Sequence, residues 1–192
     1  MNFWVIAVSL LVGRLRGFRF GDFLAHQFRG LGWFGAALMV QMLIGTSFAE
    51  STPWIRALAP LLHVGAMGML LAAILANRET SGALLCGLGV LLNLAVIFAN
   101  GGKMPVSPEA LQAVGMPATR IAFLAAGRSL THRLVRPSTA LRALGDILYL
   151  PAPVQRSPVF SVGDVVLAVG LFVLVQSAIS QAARERRRLA EG

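Results

Sequence analysis

Two aspartates in apolar surroundings are the residues in this chain best suited to chemistry: Asp146 in LGDIL and Asp164 in FSVGDVVLAVG. Two carboxyls brought within about 3 Å of each other share one proton, because like charges that close cannot both ionise. The ionised member then activates a water and the protonated member donates to a carbonyl oxygen. That chemistry requires no cofactor, no metal and no Ser or Cys nucleophile. It requires two Asp side chains meeting at a partly dried site. Asp146 precedes a Pro-rich stretch, YLPAPVQRSP, and Asp164 follows it. Pro151, Pro153 and Pro158 disfavour helix there, so an extended segment that doubles back would bring the carboxyls together.

Each aspartate also has a plainer reading. Ser161 and Asp164 have the spacing of an S-x-x-D capping box, in which a carboxylate in the first helical turn is worth roughly 0.3–1 kcal/mol. Asp146 has the spacing to pair with Arg142 across one helical turn.

The surroundings of these residues are built for lipid. Of 192 residues, 56% are hydrophobic and 13% charged, about half the charged fraction usual for soluble domains. The apolar residues fall in blocks, and a bilayer core of roughly 30 Å is crossed by about 20 of them as a helix. Five spans are predicted, at residues 2–13, 31–48, 58–76, 81–99 and 162–180. The fold class is all-α: one polytopic membrane bundle with an interfacial or re-entrant helical segment, 100–160, between spans four and five.

Charge sets the orientation. Arg14, Arg16, Arg19 and Arg29 follow the first span rather than precede it, which argues for an uncleaved helix and a cytoplasmic loop. Arg78 and the run Arg184 to Arg188 fall on the same side. The expected location is a bacterial inner membrane, with the N-terminus outside and the C-terminus inside. Segment 100–160 is then external, although it carries seven Lys and Arg. The net charge of +9 is read as topology and anionic headgroup contact, not nucleic-acid binding.

Within segment 100–160, Gly101 and Gly102 allow a sharp exit from span four. Ser107 and Pro108 read as N-cap and first helical residue. Further helical pieces are expected at 118–128 and 138–144, lying at the headgroup layer. Inside the spans, Gln41, His63 and Asn93 are the polar groups, and Gly65, Gly68, Gly87 and Gly89 suggest close helix packing. Cys86, the lone cysteine, is a packing residue.

NGGKMPVS, LGDIL and FSVGDVVLAVG together resemble a family of uncharacterised bacterial multi-pass membrane proteins, which implies a fold type and no activity. The last fifty residues are more distantly similar to lipoprotein signal peptidase, a membrane aspartyl enzyme with two catalytic Asp. That resemblance implies Asp146 and Asp164 as the dyad. Asn93, Asn100, Ser161 and Arg142 become candidate substrate-binding residues, with a lipid-linked peptide as the substrate. Ser161 stands where that family has Asn, and Gly163 where it has Ala. Residues 49–57 are too short to form its external β-cradle.

Two other functions remain open. Arg128, Arg133, Arg136 and Arg142 could hold phosphate headgroups or a protein partner in a non-catalytic subunit. Gln41, His63 and Asn93 could line the path of a small transporter.

Overall fold

The computed structural model describes residues 2–18, 21, 28–150 and 159–191. Its described part is mostly helical. α1 (Asn2–Leu15), α2 (Leu31–Ile44), α3 (Ser47–Ser51), α4 (Pro53–Leu75) and α5 (Ala83–Ala99) precede a mixed segment. That segment holds β1 (Met104–Val106), α6 (Pro108–Ala113), α7 (Ala118–Ala125), β2 (His132–Leu134) and a 3₁₀ turn (Arg142–Leu144). α8 (Val162–Glu191) closes the chain.

The expected spans needed adjustment wherever local caps override hydropathy. The 31–48 span ends at Ile44, because Thr46 starts α3 by accepting the Ala49 N–H. The helix expected at 58–76 starts at Pro53, which sits at its first position. Gly82, with φ of 93°, delays α5 to Ala83. α8 runs past 180 to Glu191, since AARERRRLAE contains no helix breaker. By length and hydropathy, Pro53–Leu75 and Val162–Arg186 are long and apolar enough to cross a membrane, while 5–15, 31–44 and 83–99 are shorter apolar helices.

The long helices pack in the order α1, α8, α5, α4, α2. Ser9 on α1 donates to the Phe172 carbonyl at 3.2 Å, and Gln176 donates to Ser9 O. Gly13 faces Ile179, so α1 and α8 run parallel. α5 and α8 run antiparallel and touch backbone to backbone. A Cβ on Gly89 would lie 2.5 Å from Leu167 N and 2.6 Å from Gly163 O. One on Gly82 would lie 2.5 Å from Gly170 O, and one on Gly170 would lie 2.8 Å from Leu85 C. Each helix thus offers glycines seven residues apart to the other, and no side chain fits between them. Of the other glycines expected to pack closely, Gly87 makes ordinary contacts at 3.7 Å, and Gly65 and Gly68 meet nothing within 4 Å.

One end of the bundle is closed by a pair between loops. Asn77 accepts the Arg29 N–H at 2.9 Å and donates to the Arg29 carbonyl at 2.7 Å. Arg14, Arg16, Arg29, Arg78 and the α8 tail all belong to this end.

The opposite end is built by segment 100–160, and here the sequence misled most. A small parallel sheet replaces part of the expected helical layer. β1 pairs with β2 in the register Met104↔His132 and Val106↔Leu134. On its other edge β1 takes Asp146 in a parallel bridge to Val106. The helices at 108 and 118 form as expected, the first capped by Ser107 at 3.0 Å from Ala110 N. Residues 138–144 form only the 3₁₀ turn at their end. Pro151, Pro153 and Pro158 lie outside the described residues.

Candidate functional site

Three stretches converge at this second end: the turn after α5, the edge beside β1 and the start of α8. Asn100 ends α5, and Gly101 and Gly102 turn the chain with φ of 67° and 81°. Gly102 lies against the backbone of Pro60 in α4, where a Cβ would sit 3.0 Å from Pro60 O. This close approach lets the Gly102 carbonyl accept from His63 Nδ1 at 2.7 Å. The chain then enters β1, where the Met104 N–H donates to the Thr131 carbonyl at 2.8 Å.

Asp146 is fixed by backbone on both sides. Its N–H donates to the Pro105 carbonyl at 2.8 Å, and its carbonyl accepts from Ser107 N–H at 2.9 Å. Gly145 precedes it because a Cβ there would lie 2.7 Å from Pro105 O. Two residues on, Leu148 and Phe160 exchange N–H···O bonds of 2.9 and 2.8 Å. That antiparallel clamp brings the start of α8 back beside Asp146.

Asp164 is held by a reciprocal capping box. Its N–H donates to Ser161 Oγ at 3.0 Å, and its Oδ2 accepts from Ser161 N–H at 3.1 Å. Asn93 on α5 ties the box to the bundle. Its Nδ2 donates to Asp164 Oδ1 at 2.9 Å, and its Oδ1 accepts the Ser161 hydroxyl at 2.8 Å. Gly163 permits this, since a Cβ there would collide with the Asn93 side chain.

Asp146 and Asp164 line the same cavity, of ≈ 300 Å³. Gln41, His63 and Asn93 line it from α2, α4 and α5, and Thr131 and His132 line it from the sheet side. Met67, Ile97 and Met104 supply apolar wall. Burial, and then the charge of Asp164, push the Asp146 carboxyl up to about 7. His132 reaches toward it, with Nε2 3.6 Å from Asp146 Oδ2 and Nδ1 2.8 Å from Thr131 Oγ1. Burial, then the neighbouring His63 and Arg120, lower His132 to about 4. Among the described residues, no three His, Cys, Asp or Glu side chains stand together as metal ligands.

The sequence candidates divide. Asp146, Asp164 and Asn93 line the cavity, and Ser161, fully buried, supports Asp164 from behind. Asn100 is buried in a structural role, donating to the Val96 and Ala140 carbonyls at 2.9 Å each and accepting from Ala140 N–H at 3.3 Å. Arg142 lies exposed on the 3₁₀ turn, and Asp146 meets His132 rather than this guanidinium. Gln41, His63 and Asn93 gather at this one cavity. His132 and Thr131 were missed. Their only sequence signal was a short polar THR between apolar residues, which reads equally well as loop.

Residues 25–176 match a family of unknown function, DUF5317. Over 169 residues the chain is 27% identical to an uncharacterized protein of Thermotoga maritima, covering 88% of this chain and 86% of that one. No solved structure matches. Every stretch that builds the cavity lies inside the matched region, and the chain belongs to the DUF5317 family.

Proposed function

We propose that this protein is a five-span membrane aspartyl-type hydrolase whose centre opens at the outer end of the bundle. Its substrate would be a lipid-linked or membrane-embedded molecule. The observation that carries this reading is that Asp146 and Asp164, eighteen residues apart, line one cavity and interact electrostatically. The more distant similarity to lipoprotein signal peptidase points to the same pair.

Exposed apolar side chains support the membrane setting. Met39, Met42, Leu61 and Phe98 are each at least 70% exposed on helices that have no polar outer face. α5 packs antiparallel along α8, which is long enough to span, and α1 lies parallel to α8. The shorter helices would therefore cross with the longer ones. The arginine-rich end would be cytoplasmic by the positive-inside rule, leaving the cavity at the outer face and the N-terminus outside.

In this reading Asp164, oriented by Asn93 and Ser161, takes a proton from a water as its oxygen attacks the substrate carbonyl carbon. Asp146, protonated near neutral pH, gives its proton to the carbonyl oxygen. When the tetrahedral intermediate collapses, the bond to the leaving group breaks. Asp164 passes its proton to that group, and Asp146 recovers a proton from the intermediate's hydroxyl. Atoms and charge balance with water as the sole co-reactant.

The test compares membranes of a deletion strain complemented with wild type, Asp146→Asn or Asp164→Asn. An uncleaved lipid or peptide should accumulate in the deletion strain and in both variants. Full complementation by either folded Asn variant would remove the hydrolase reading.

A second reading is a non-catalytic lipid- or partner-binding subunit. It is favoured by the capping box, which accounts for Asp164 without any chemistry. Arg128, Arg136 and Arg142 are exposed at this end, and with Arg133 they could meet phosphate headgroups. In that case the Asn variants would complement and substitutions of these arginines would not.

A further inference from the structure

Gln41 carries a buried Nε2 in the cavity wall with no hydrogen-bond partner among the described residues. An unmatched buried donor is destabilising, so it points to an occupant that supplies an acceptor. His63 lines the same cavity, and its tautomer is fixed. The Gly102 carbonyl can only accept, so Nδ1 carries the hydrogen across 2.7 Å. In the neutral ring Nε2 then holds a lone pair. Met67 and Ile97 make the intervening wall apolar, which sharpens the preference for matched polar groups.

The unmatched Gln41 donor and the His63 lone pair, in the lining of one cavity, suit a ligand group offering the reverse pair. A secondary amide does so: its C=O accepts from Gln41 and its N–H donates to His63. An ester offers the acceptor alone and has no hydrogen to give the His63 lone pair. We propose that Gln41 and His63 form a recognition subsite for a secondary amide, so that the cavity takes amide-bearing amphiphiles in preference to their ester isosteres. This rests on reading the cavity as a substrate site and adds the class of group it receives.

The test uses the purified full chain in mixed micelles, titrated with N-butyl dodecanamide and with butyl dodecanoate. The amide should bind about tenfold more tightly, the equivalent of one well-formed buried hydrogen bond. Gln41→Leu, which removes an unmatched donor and keeps the volume, should fold as well as wild type and lose about tenfold in amide affinity. Equal binding of both probes by wild type, as expected if solvent alone satisfies Gln41, overturns the subsite. So does an amide preference that survives in Gln41→Leu. Turnover measured on the same samples separates the two ideas. Amide preference without Asp-dependent cleavage keeps the subsite and removes the hydrolase. Asp146-dependent cleavage with no amide preference does the reverse.

Discussion

His132 and Asp146 stand on opposite edges of β1 yet point to the same face, with Nε2 3.6 Å from Oδ2. They look like an ion pair but are tuned the other way: the acid is raised to about 7 and the base lowered to about 4. Between those values the folded protein holds a protonated Asp146 beside a neutral His132.

Opposite signs follow for stability. From pH 4 to 7 the folded state keeps a proton on Asp146 that the unfolded chain has lost, so this group's contribution falls as pH rises. From pH 4 to 6.5 the unfolded chain holds a proton on His132 that the folded state lacks, so that contribution rises. The His132 side chain is 44% exposed, so solvent screening shrinks its share and the Asp146 contribution outweighs it: wild-type Tm should fall modestly as pH rises over 4.5–6.5. In Asp146→Asn, Tm should climb with pH over this window. In His132→Gln it should fall, at up to about 1 kcal/mol per pH unit. Thermal melts in detergent at several pH values check both slopes.

Gly163→Ala should destabilise by about 1–3 kcal/mol, because the added methyl meets the Asn93 side chain and lies 2.8 Å from the Gly89 carbonyl. Gly89→Ala should do the same. Gly65→Ala and Gly68→Ala, with open space around them, should be neutral or should stabilise by up to about 1 kcal/mol through helix propensity. Melting temperatures of the four variants provide the comparison.

Asn93→Ala removes both bonds that fasten the capping box to α5 and leaves a fully buried Ser161 hydroxyl without its acceptor. The expected cost is about 1–3 kcal/mol per lost partner. If Asp164 acts in hydrolysis, turnover should fall further than the stability change explains. Measuring rate at a temperature where the variant remains folded separates the two effects.

Asn100→Ala and Arg142→Ala separate structure from binding. Asn100 ties the end of α5 to Ala140 and its side chain does not line the cavity, so its loss should lower Tm and leave ligand affinity unchanged. Arg142→Ala should change neither in detergent, since the side chain is exposed on the 3₁₀ turn. An affinity loss in either variant would return that residue to the binding surface.

The helices and caps were legible because they depend on local rules. The apolar blocks gave helices at nearly the right places, and SVGD and VSPE announced two caps that form as expected. The convergence of LGDIL with FSVGD was foreseen only as a fold-back between Asp146 and Asp164. The Leu148–Phe160 clamp was not readable, because it is a single backbone pair with no side-chain pattern. β1 and β2 span three residues each, too few for alternation to emerge, so His132 stayed hidden. Asn100 resembled a binding residue because a buried amide that braces a loop and one that contacts a ligand have the same one-letter signature.

The parallel pairing of β1 and β2 gives residues 107–131 an unusual status. That excursion leaves beside Asp146 at one end of the strands and returns at His132 at the other. It therefore acts as a splint across the sheet, with Leu111 and Leu124 packed on Val106 and Leu134. Cutting back α6 or α7 would loosen Val106 and Leu134, and with them the two strands that hold Asp146 and His132, so changes made far along the chain from either side chain would be felt in the cavity.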